Sequence, residues 1–179
     1  MTAQSFERLL FEGKEYGMAD EPLYFYLQKR KDIQFTRPTT ACWRGYYGSW
    51  EIRDNKLFLV DLKAYLPGFT VVGIDYVFSK PGPIFADWFS RDIRIPLGEL
   101  LEYVHMGYSS TYEKDMFLEF QNGVLINRTV VDNHEDYTER KAEGRGMRRA
   151  FIEEEVEVKK TFWQRLFTQF KLLFRISGE

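Results

Sequence analysis

The sequence predicts an α+β domain in which antiparallel β-hairpins form a sheet with a few short helices, followed by an amphipathic C-terminal helix. Apolar residues make up 44% of the 179 residues and charged residues 29%, which suits one ordinary domain with a buried core. Aromatic residues reach 17%, and large rings favour pleated, half-buried surfaces. Two turn dipeptides, Asp54-Asn55 and Asn122-Gly123, separate strand-like runs, as in two-residue hairpins.

The N-terminal segment predicts a strand pair and a short helix. Two short strands are expected in SFERLLFEGKEYGM, on either side of Gly13-Lys14. A helix is expected in DEPLYFYLQKRK, because Asp20 suits the N-cap, Pro22 suits the first turn and basic residues stand at the end. The three closely spaced rings of this stretch also fit a strand.

The central hairpin is predicted in CWRGYYGSWEI, RDNK and LFLVDLKAY. A turn centred on residues 54–55 places Trp50 opposite Leu59, Gly48 opposite Asp61 and Gly45 opposite Ala64. The glycines leave room for neighbouring rings or mark a bulge. One face of the hairpin is expected to carry Trp50, Ile52, Leu57 and Leu59, and the other Tyr47, Phe58, Val60 and Leu62.

Residues 66–98 contain many Pro and Gly residues and predict a connection interrupted by turns. Within it, PIFADWFS predicts a short helix that starts at Pro83, and RDIRIP predicts a short strand. The next stretch, GELLEYVHMGYSSTYEKD, fits either a helix or an irregular loop. The clearest hairpin follows in MFLEFQNGVLINRTVVD, with one face formed by Met116, Leu118, Phe120 and Leu125.

After Asp132 the composition becomes highly charged, which predicts a solvated helix or a linker. We therefore expect three parts: an aromatic-rich α+β domain over 1–135, a charged connector over 136–160 and an amphipathic helix over 161–179. Placed on a helix, seven apolar side chains of the last part share one arc of roughly 140°. They are Phe162, Trp163, Leu166, Phe167, Phe170, Leu173 and Phe174, with Arg165, Lys171 and Arg175 on the polar side.

Such an apolar face needs a cover, and three covers fit it. They are the protein's own sheet, a partner protein or second copy, and a membrane surface. The membrane option follows from charge. From Lys159 onward the tail contains five Lys or Arg residues and one acidic residue, Glu179, which gives it a charge of +4. No stretch has the ~18–20 apolar residues of a spanning helix. The N-terminus lacks the pattern of a signal peptide, so we expect a cytoplasmic protein, with the inner face of the membrane as an alternative location.

The sequence offers little catalytic chemistry. It has no phosphate-binding glycine loop, and its single E-x-x-H, Glu102 to His105, lacks the second copy of a di-iron site, so neither a metal nor a cofactor is expected. Cys42 with His105 is the best nucleophile–base pair for an enzyme, although sequence alone does not bring them together. A net charge of −2 argues against nucleic-acid binding.

Exposed rings often act as anchors in protein recognition, where Tyr and Trp are enriched. The rings in CWRGYYGSW and in EYVHMGYSSTYEKD stand beside polar residues in stretches that suit loops or strand starts. The residues predicted to contact a partner are Trp43, Tyr46, Tyr47, Tyr103, Tyr108 and Tyr112.

Three motifs, RGYYGSWEI, DWFSRDIRIP and EYVHMGY, together resemble a widespread bacterial domain family with no established activity. The resemblance covers residues 5–135 and implies a bacterial origin but no mechanism. We therefore expect a non-catalytic protein-binding module, of the immunity or inhibitor type, that binds a protein partner or itself. The alternatives are a peripheral membrane protein held by the C-terminal helix, and an enzyme that uses Cys42 or His105.

Overall fold

A computed structural model describes residues 2–142 of the chain. The chain divides into two units, Met1–His134 and Glu135–Glu179. The strands found within residues 2–142 all belong to the first unit. The predicted amphipathic helix over 161–179 and most of the predicted connector lie outside the described residues.

The predicted N-terminal strand pair is confirmed as β1 (Glu7–Phe11) and β2 (Lys14–Met18). Glu12 and Gly13 form the turn, both with positive φ. The predicted helix is also present but short, as α1 (Pro22–Leu27), with the proline in its first turn. Its N-cap is Glu21, one residue later than predicted.

The central hairpin is confirmed as β3 (Tyr46–Arg53) and β4 (Lys56–Tyr65), with both turn residues, 54 and 55, at positive φ. Trp50 faces Leu59 as predicted, but Gly48 faces Leu62 and not Asp61. The reason is a bulge, because the register shifts between Ser49 and Trp50 and leaves an extra residue in β4.

The bulge also changes the predicted faces of β4. Because one residue is added, Leu62 turns to the buried face together with Leu57 and Leu59, whereas we predicted it beside Phe58 and Val60. By the same shift Tyr46, in place of Gly45, pairs with Ala64.

The connection after β4 contains β5 (Val71–Val72), α2 (Ile74–Phe78) and β6 (Ile84–Phe85). The helix predicted in PIFADWFS is wrong, because β6 pairs with the free side of β4. The amide of Ala86 continues this contact and donates to the carbonyl of Leu57 at 2.9 Å. A tertiary partner for these amides outweighs the weak helix signal of one proline.

The strand predicted in RDIRIP is confirmed and longer than predicted, as β7 (Asp92–Glu102). It is followed by β8 (Thr111–Gln121) and β9 (Val124–Asp132), which form the predicted hairpin around residues 122 and 123. The stretch predicted as a helix or a loop contains the end of β7, an irregular segment over 103–110 and the start of β8.

The strands form a mixed sheet in the order β2-β1-β3-β4-β9-β8-β7, with β5 and β6 paired to β4. The hairpins are antiparallel as predicted, whereas β1 and β3, which are not joined as a hairpin, run parallel. The two ends of the order meet, since the amide of Ala19, just after β2, donates to the carbonyl of Arg94 in β7 at 2.9 Å. The enclosed core includes Leu9, Trp50, Leu57, Phe89, Ile93, Met116 and Leu118.

Beyond β9 the chain forms α3 (His134–Ala142), a charged helix with no buried residue. Asp136 and Arg140 form an ion pair one turn apart, at 2.6 Å. Within residues 2–142 no helix has the length and apolar character needed to cross a bilayer.

Candidate functional site: two loops above a buried ion cluster

Two loops at one end of the sheet are joined by the N-terminal segment. The first loop is residues 39–45, before β3, and the second loop is residues 103–110, between β7 and β8; we call them the loop pair. The amide of Ser5 donates to the carbonyl of Ala41, and the amide of Gln4 donates to the carbonyl of Gly107, both at 2.8 Å. The side chain of Gln4 also accepts from the amide of Trp43 at 2.8 Å. Residues 2–5 therefore hold the two loops together through backbone groups and through the side chain of Gln4.

The loop pair exposes large side chains that would ordinarily be buried. Trp43 on the first loop is 41% exposed, and Tyr103 and Met106 on the second loop are 58% and 41% exposed. The Tyr103 hydroxyl lies 2.9 Å from Nδ1 of the exposed His105. Aromatic and sulfur-containing groups with a polar neighbour are typical of recognition surfaces.

Beneath the first loop, Glu7 and Arg44 form a buried ion pair. Nε of Arg44 lies 3.0 Å from Oε1 of Glu7, and both side chains are almost completely enclosed. The indole N–H of Trp50 donates to Oε2 of Glu7 at 2.5 Å. Such a pair must have its remaining polar atoms satisfied, because desolvation is costly.

The local sequence explains how this pair forms. Glu7 alternates with Leu9 and Phe11 on the inward face of β1, so its carboxylate is carried into the core. Gly48 leaves the space that this carboxylate and the Trp50 indole occupy. A Cβ at residue 48 would collide with Oε2 of Glu7 and lie 2.7 Å from the indole nitrogen. The alternation of bulk and glycine in β3 therefore makes room for a buried polar group.

The other end of the guanidinium reaches the second loop. Nη1 of Arg44 donates to the hydroxyl of Tyr108 at 2.8 Å and lies 3.5 Å from Oε1 of Glu21. The Tyr108 hydroxyl in turn donates to Glu21 at 3.0 Å. We call Glu7, Glu21, Arg44, Trp50 and Tyr108 the ion cluster. Since Arg44 belongs to one loop and Tyr108 to the other, the ion cluster fastens the loop pair from below.

Burial dominates the electrostatics of the cluster. It raises the pKa of Glu7 from 4.5 to about 7, although Arg44 and the Trp50 N–H both favour the carboxylate. Burial likewise raises the pKa of Asp20, at the end of the N-terminal hairpin, to about 7. The pKa of Tyr108 is also raised by burial, so its hydroxyl stays protonated and can donate.

Four buried polar atoms in and beside the cluster make no hydrogen bond within residues 2–142: Oε1 of Glu7, Nε and Nη2 of Arg44, and the hydroxyl of Tyr46. The first two face each other at 3.0 Å in the ion pair, so Nη2 and the Tyr46 hydroxyl are the atoms with no polar contact in this part of the chain. The guanidinium is nevertheless stabilised by rings, because its central carbon lies 5.7 Å from the centroid of the Tyr46 ring and 5.5 Å from that of Tyr47.

The structure distributes the six predicted contact residues over different environments. Trp43 and Tyr103 are exposed on the loop pair, and Tyr108 lies beneath them in the ion cluster. Tyr46 is buried in the core, Tyr47 packs against Tyr65, and Tyr112 packs against Phe6. The sequence reasoning missed Gln4, Glu7, Glu21 and Met106. The signal for Glu7 was its place in the apolar alternation of β1.

Cys42 and His105 engage different partners. The buried Cys42 thiol donates to the carbonyl of Tyr46 at 3.2 Å, whereas the exposed His105 ring pairs with Tyr103. Among the described residues there is no group of three His, Cys, Asp or Glu side chains that could hold a metal ion.

Comparison of the chain with models of protein families, with curated proteins and with solved structures finds no match in any of the three.

Proposed function

We propose that this protein is a non-catalytic binding module that recognises another protein through the loop pair. The observation that carries the proposal is the exposure of Trp43, Tyr103 and Met106 on two loops whose backbones are bonded to one connecting segment. Trp and Tyr are enriched among residues that dominate binding energy, and Met adapts to irregular partner surfaces.

The support beneath these side chains favours binding. Ordering a loop on association costs free energy, and a loop that is already ordered avoids this cost. Here the bonds from Ser5 and Gln4 fix the loop backbones, while the contact from Arg44 to Tyr108 ties them to the core. The exposed side chains of Trp43, Tyr103 and Met106 are therefore carried by loops that are already ordered before a partner binds.

We keep the expectation raised by the sequence that this protein is itself a bacterial cytoplasmic module of the immunity or inhibitor type. A hydrophobic pocket or ridge with hydrogen-bonding groups at its edge would complement the indole, the thioether and the Tyr103–His105 pair.

Site-specific photo-crosslinking in the native host tests this proposal. A photoreactive residue replaces Met106 on the loop pair, and in the control it replaces Val71 in β5, which is 53% exposed. We expect one defined protein to be crosslinked from position 106 and not from 71. Adding Trp43→Ala should remove that product and weaken binding of the purified partner by about tenfold or more.

Three results would count against binding at the loop pair. They are no crosslinked protein from position 106, the same products from position 71, and crosslinking that is indifferent to Trp43→Ala. Because Trp43 lies on a loop and is 41% exposed, this substitution should leave the fold intact, and thermal unfolding of the variant checks that it does.

A second candidate function, attachment to a membrane surface, is supported by the sequence of 161–176. Its apolar arc and basic polar side are typical of helices that lie in the lipid interface. The full chain should sediment with vesicles that contain anionic lipid, and Phe167→Asp should abolish this while Thr168→Asp, on the polar side, should not. If the intact protein fails to sediment, or if both variants behave alike, this candidate is rejected.

A further inference from the structure

One edge of β9 is uncovered. The strand pairs with β8 along its length but meets β4 only where Val124 pairs with Lys56. From residue 126 to residue 132 its other edge has no strand partner among residues 2–142, and every side chain of this part is exposed. An exposed edge with unpaired amides and carbonyls is a template for another strand.

The composition of this edge favours pairing. Ile126, Thr129, Val130 and Val131 are β-branched, and such side chains have the highest strand propensity. Val130 is 49% exposed although it lies opposite Met116, a fully buried residue of β8. The apolar side chain of Val130 thus remains in contact with water although it lies on the core-facing side of the sheet.

The backbone groups of alternate residues point away from β8. The amide of Arg128 donates to the side chain of Asn127 at 2.9 Å, so it is not engaged with β8. Outward-pointing amides recur every second residue in an antiparallel strand. The amides of Val130 and Asp132 therefore point outward as well, in the direction from which a new strand would approach.

We propose that β9 pairs with β9 of a second copy of this chain, antiparallel and centred on Val130. This register places Arg128 of each copy opposite Asp132 of the other, and Thr129 opposite Val131. Among the antiparallel registers of this edge that have a two-fold axis, only the one centred on residue 130 places Arg128 opposite Asp132. It forms about six backbone hydrogen bonds, which join the two sheets into one.

The contacts that these charges make within one copy do not prevent this pairing. Arg128 lies 3.0 Å from Glu12, and Asp132 lies 3.5 Å from Lys114 and 2.8 Å from Nδ1 of His134, in each case with side chains that are about half exposed. Ion pairs in water contribute little free energy, so exchange for partners in the second copy costs little. Cross-strand pairs of opposite charge then favour the proposed register over its neighbours.

Sedimentation equilibrium of the full-length protein over a range of concentrations tests the self-association. We expect a reversible monomer–dimer equilibrium for the natural sequence. Val130→Lys places two ammonium groups face to face at the two-fold axis and should raise the dissociation constant by more than tenfold. Val71→Lys adds the same charge at another exposed strand position and should leave the constant unchanged.

A charge exchange tests the register itself. Arg128→Asp and Asp132→Arg should each weaken self-association about tenfold, because each opposes like charges twice. An equimolar mixture of the two variants should restore dimers, since every opposed pair is again of opposite sign. Circular dichroism and thermal unfolding confirm that each variant is folded.

A monomer at all concentrations would overturn the proposal, whether the edge stays open or is covered by the chain's own residues after 142. A dimer that is insensitive to Val130→Lys would also overturn it, because its interface would lie elsewhere. The same holds if the mixture of Arg128→Asp and Asp132→Arg associates no better than either variant alone. The loop pair takes no part in this interface, so its function stands or falls separately.

Discussion

The buried carboxyl of Glu7 makes a specific prediction about how stability depends on pH. We expect Glu7→Gln to remove a pH-dependent contribution that the natural protein shows between about pH 5 and about pH 8. Glutamine keeps the shape of the side chain and an oxygen that can accept from the Trp50 indole, but it cannot titrate. The comparison therefore isolates the proton.

The size of the effect follows from the pKa. Burial raises the pKa of Glu7 from 4.5 to about 7, and a tenfold change in protonation corresponds to about 1.4 kcal/mol. Between these two values the folded protein holds a proton that the unfolded chain has lost. The free energy of unfolding therefore falls as pH rises, by about 2–3 kcal/mol from pH 5 to pH 8, and it levels off above about pH 7.

Urea unfolding at several pH values measures this contribution. The natural protein should lose about 2–3 kcal/mol more free energy of unfolding over this range than Glu7→Gln does. Glu15→Gln, at an exposed position of β2, controls for the loss of one negative charge and should follow the natural protein. Asp20, whose pKa is raised in the same direction, contributes a slope of the same sign in all three proteins, so the difference between their profiles and not the slope of one profile reports on Glu7.

Parallel pH profiles for the natural protein and Glu7→Gln would refute this reasoning. So would a natural protein that gains stability relative to the variant as pH rises. That outcome would mean that the attraction of Arg44 at 3.0 Å outweighs desolvation and holds the carboxylate ionised.

The remaining predictions concern the cluster and its glycine, and all are measured by chemical denaturation. Gly48→Ala should lower the free energy of unfolding by about 2–4 kcal/mol, because the added methyl group displaces the Glu7 carboxylate. The control Gly68→Ala, in open space at φ +82°, should lower it by only about 1 kcal/mol. Trp50→Phe keeps a ring but removes the donor to the carboxylate; we expect a loss of about 1.5–3 kcal/mol that grows above about pH 7, and a loss that is flat with pH would contradict us. Tyr108→Phe removes the hydroxyl under the second loop; we expect a loss of about 1–2 kcal/mol with faster amide hydrogen exchange in residues 103–110, and unchanged exchange there would contradict the fastening role.

Local chemistry was enough to predict the hairpins. Two-residue turns require positive φ, which Asp54-Asn55 and Asn122-Gly123 tolerate. In the structure all four residues have positive φ. The prediction of side-chain faces held from the turn to the Trp50–Leu59 pair and was wrong on the far side of the bulge, where Leu62 is buried. A bulge adds one residue for reasons of packing, and a pattern of period two cannot reveal where.

Pairing between distant segments could not be predicted. The strand at Ile84–Phe85 exists because β4 offers an open side, and the parallel contact of β1 with β3 joins segments about forty residues apart. The ion cluster is hidden for the same reason, because Glu7, Arg44 and Tyr108 come from three separate parts of the chain. Only the position of Glu7 within an apolar alternation gave a sign of it.

The bond between Ala19 and Arg94, which closes the ends of the strand order, has a consequence for synthesis. During synthesis the first hairpin can form early, but its partner strand β7 is made only about 75 residues later. Until β7 is in place, the core residues of this hairpin stay exposed to water. We therefore expect folding to be slow for a chain of this size, and dependent on a closure that no early segment can perform alone.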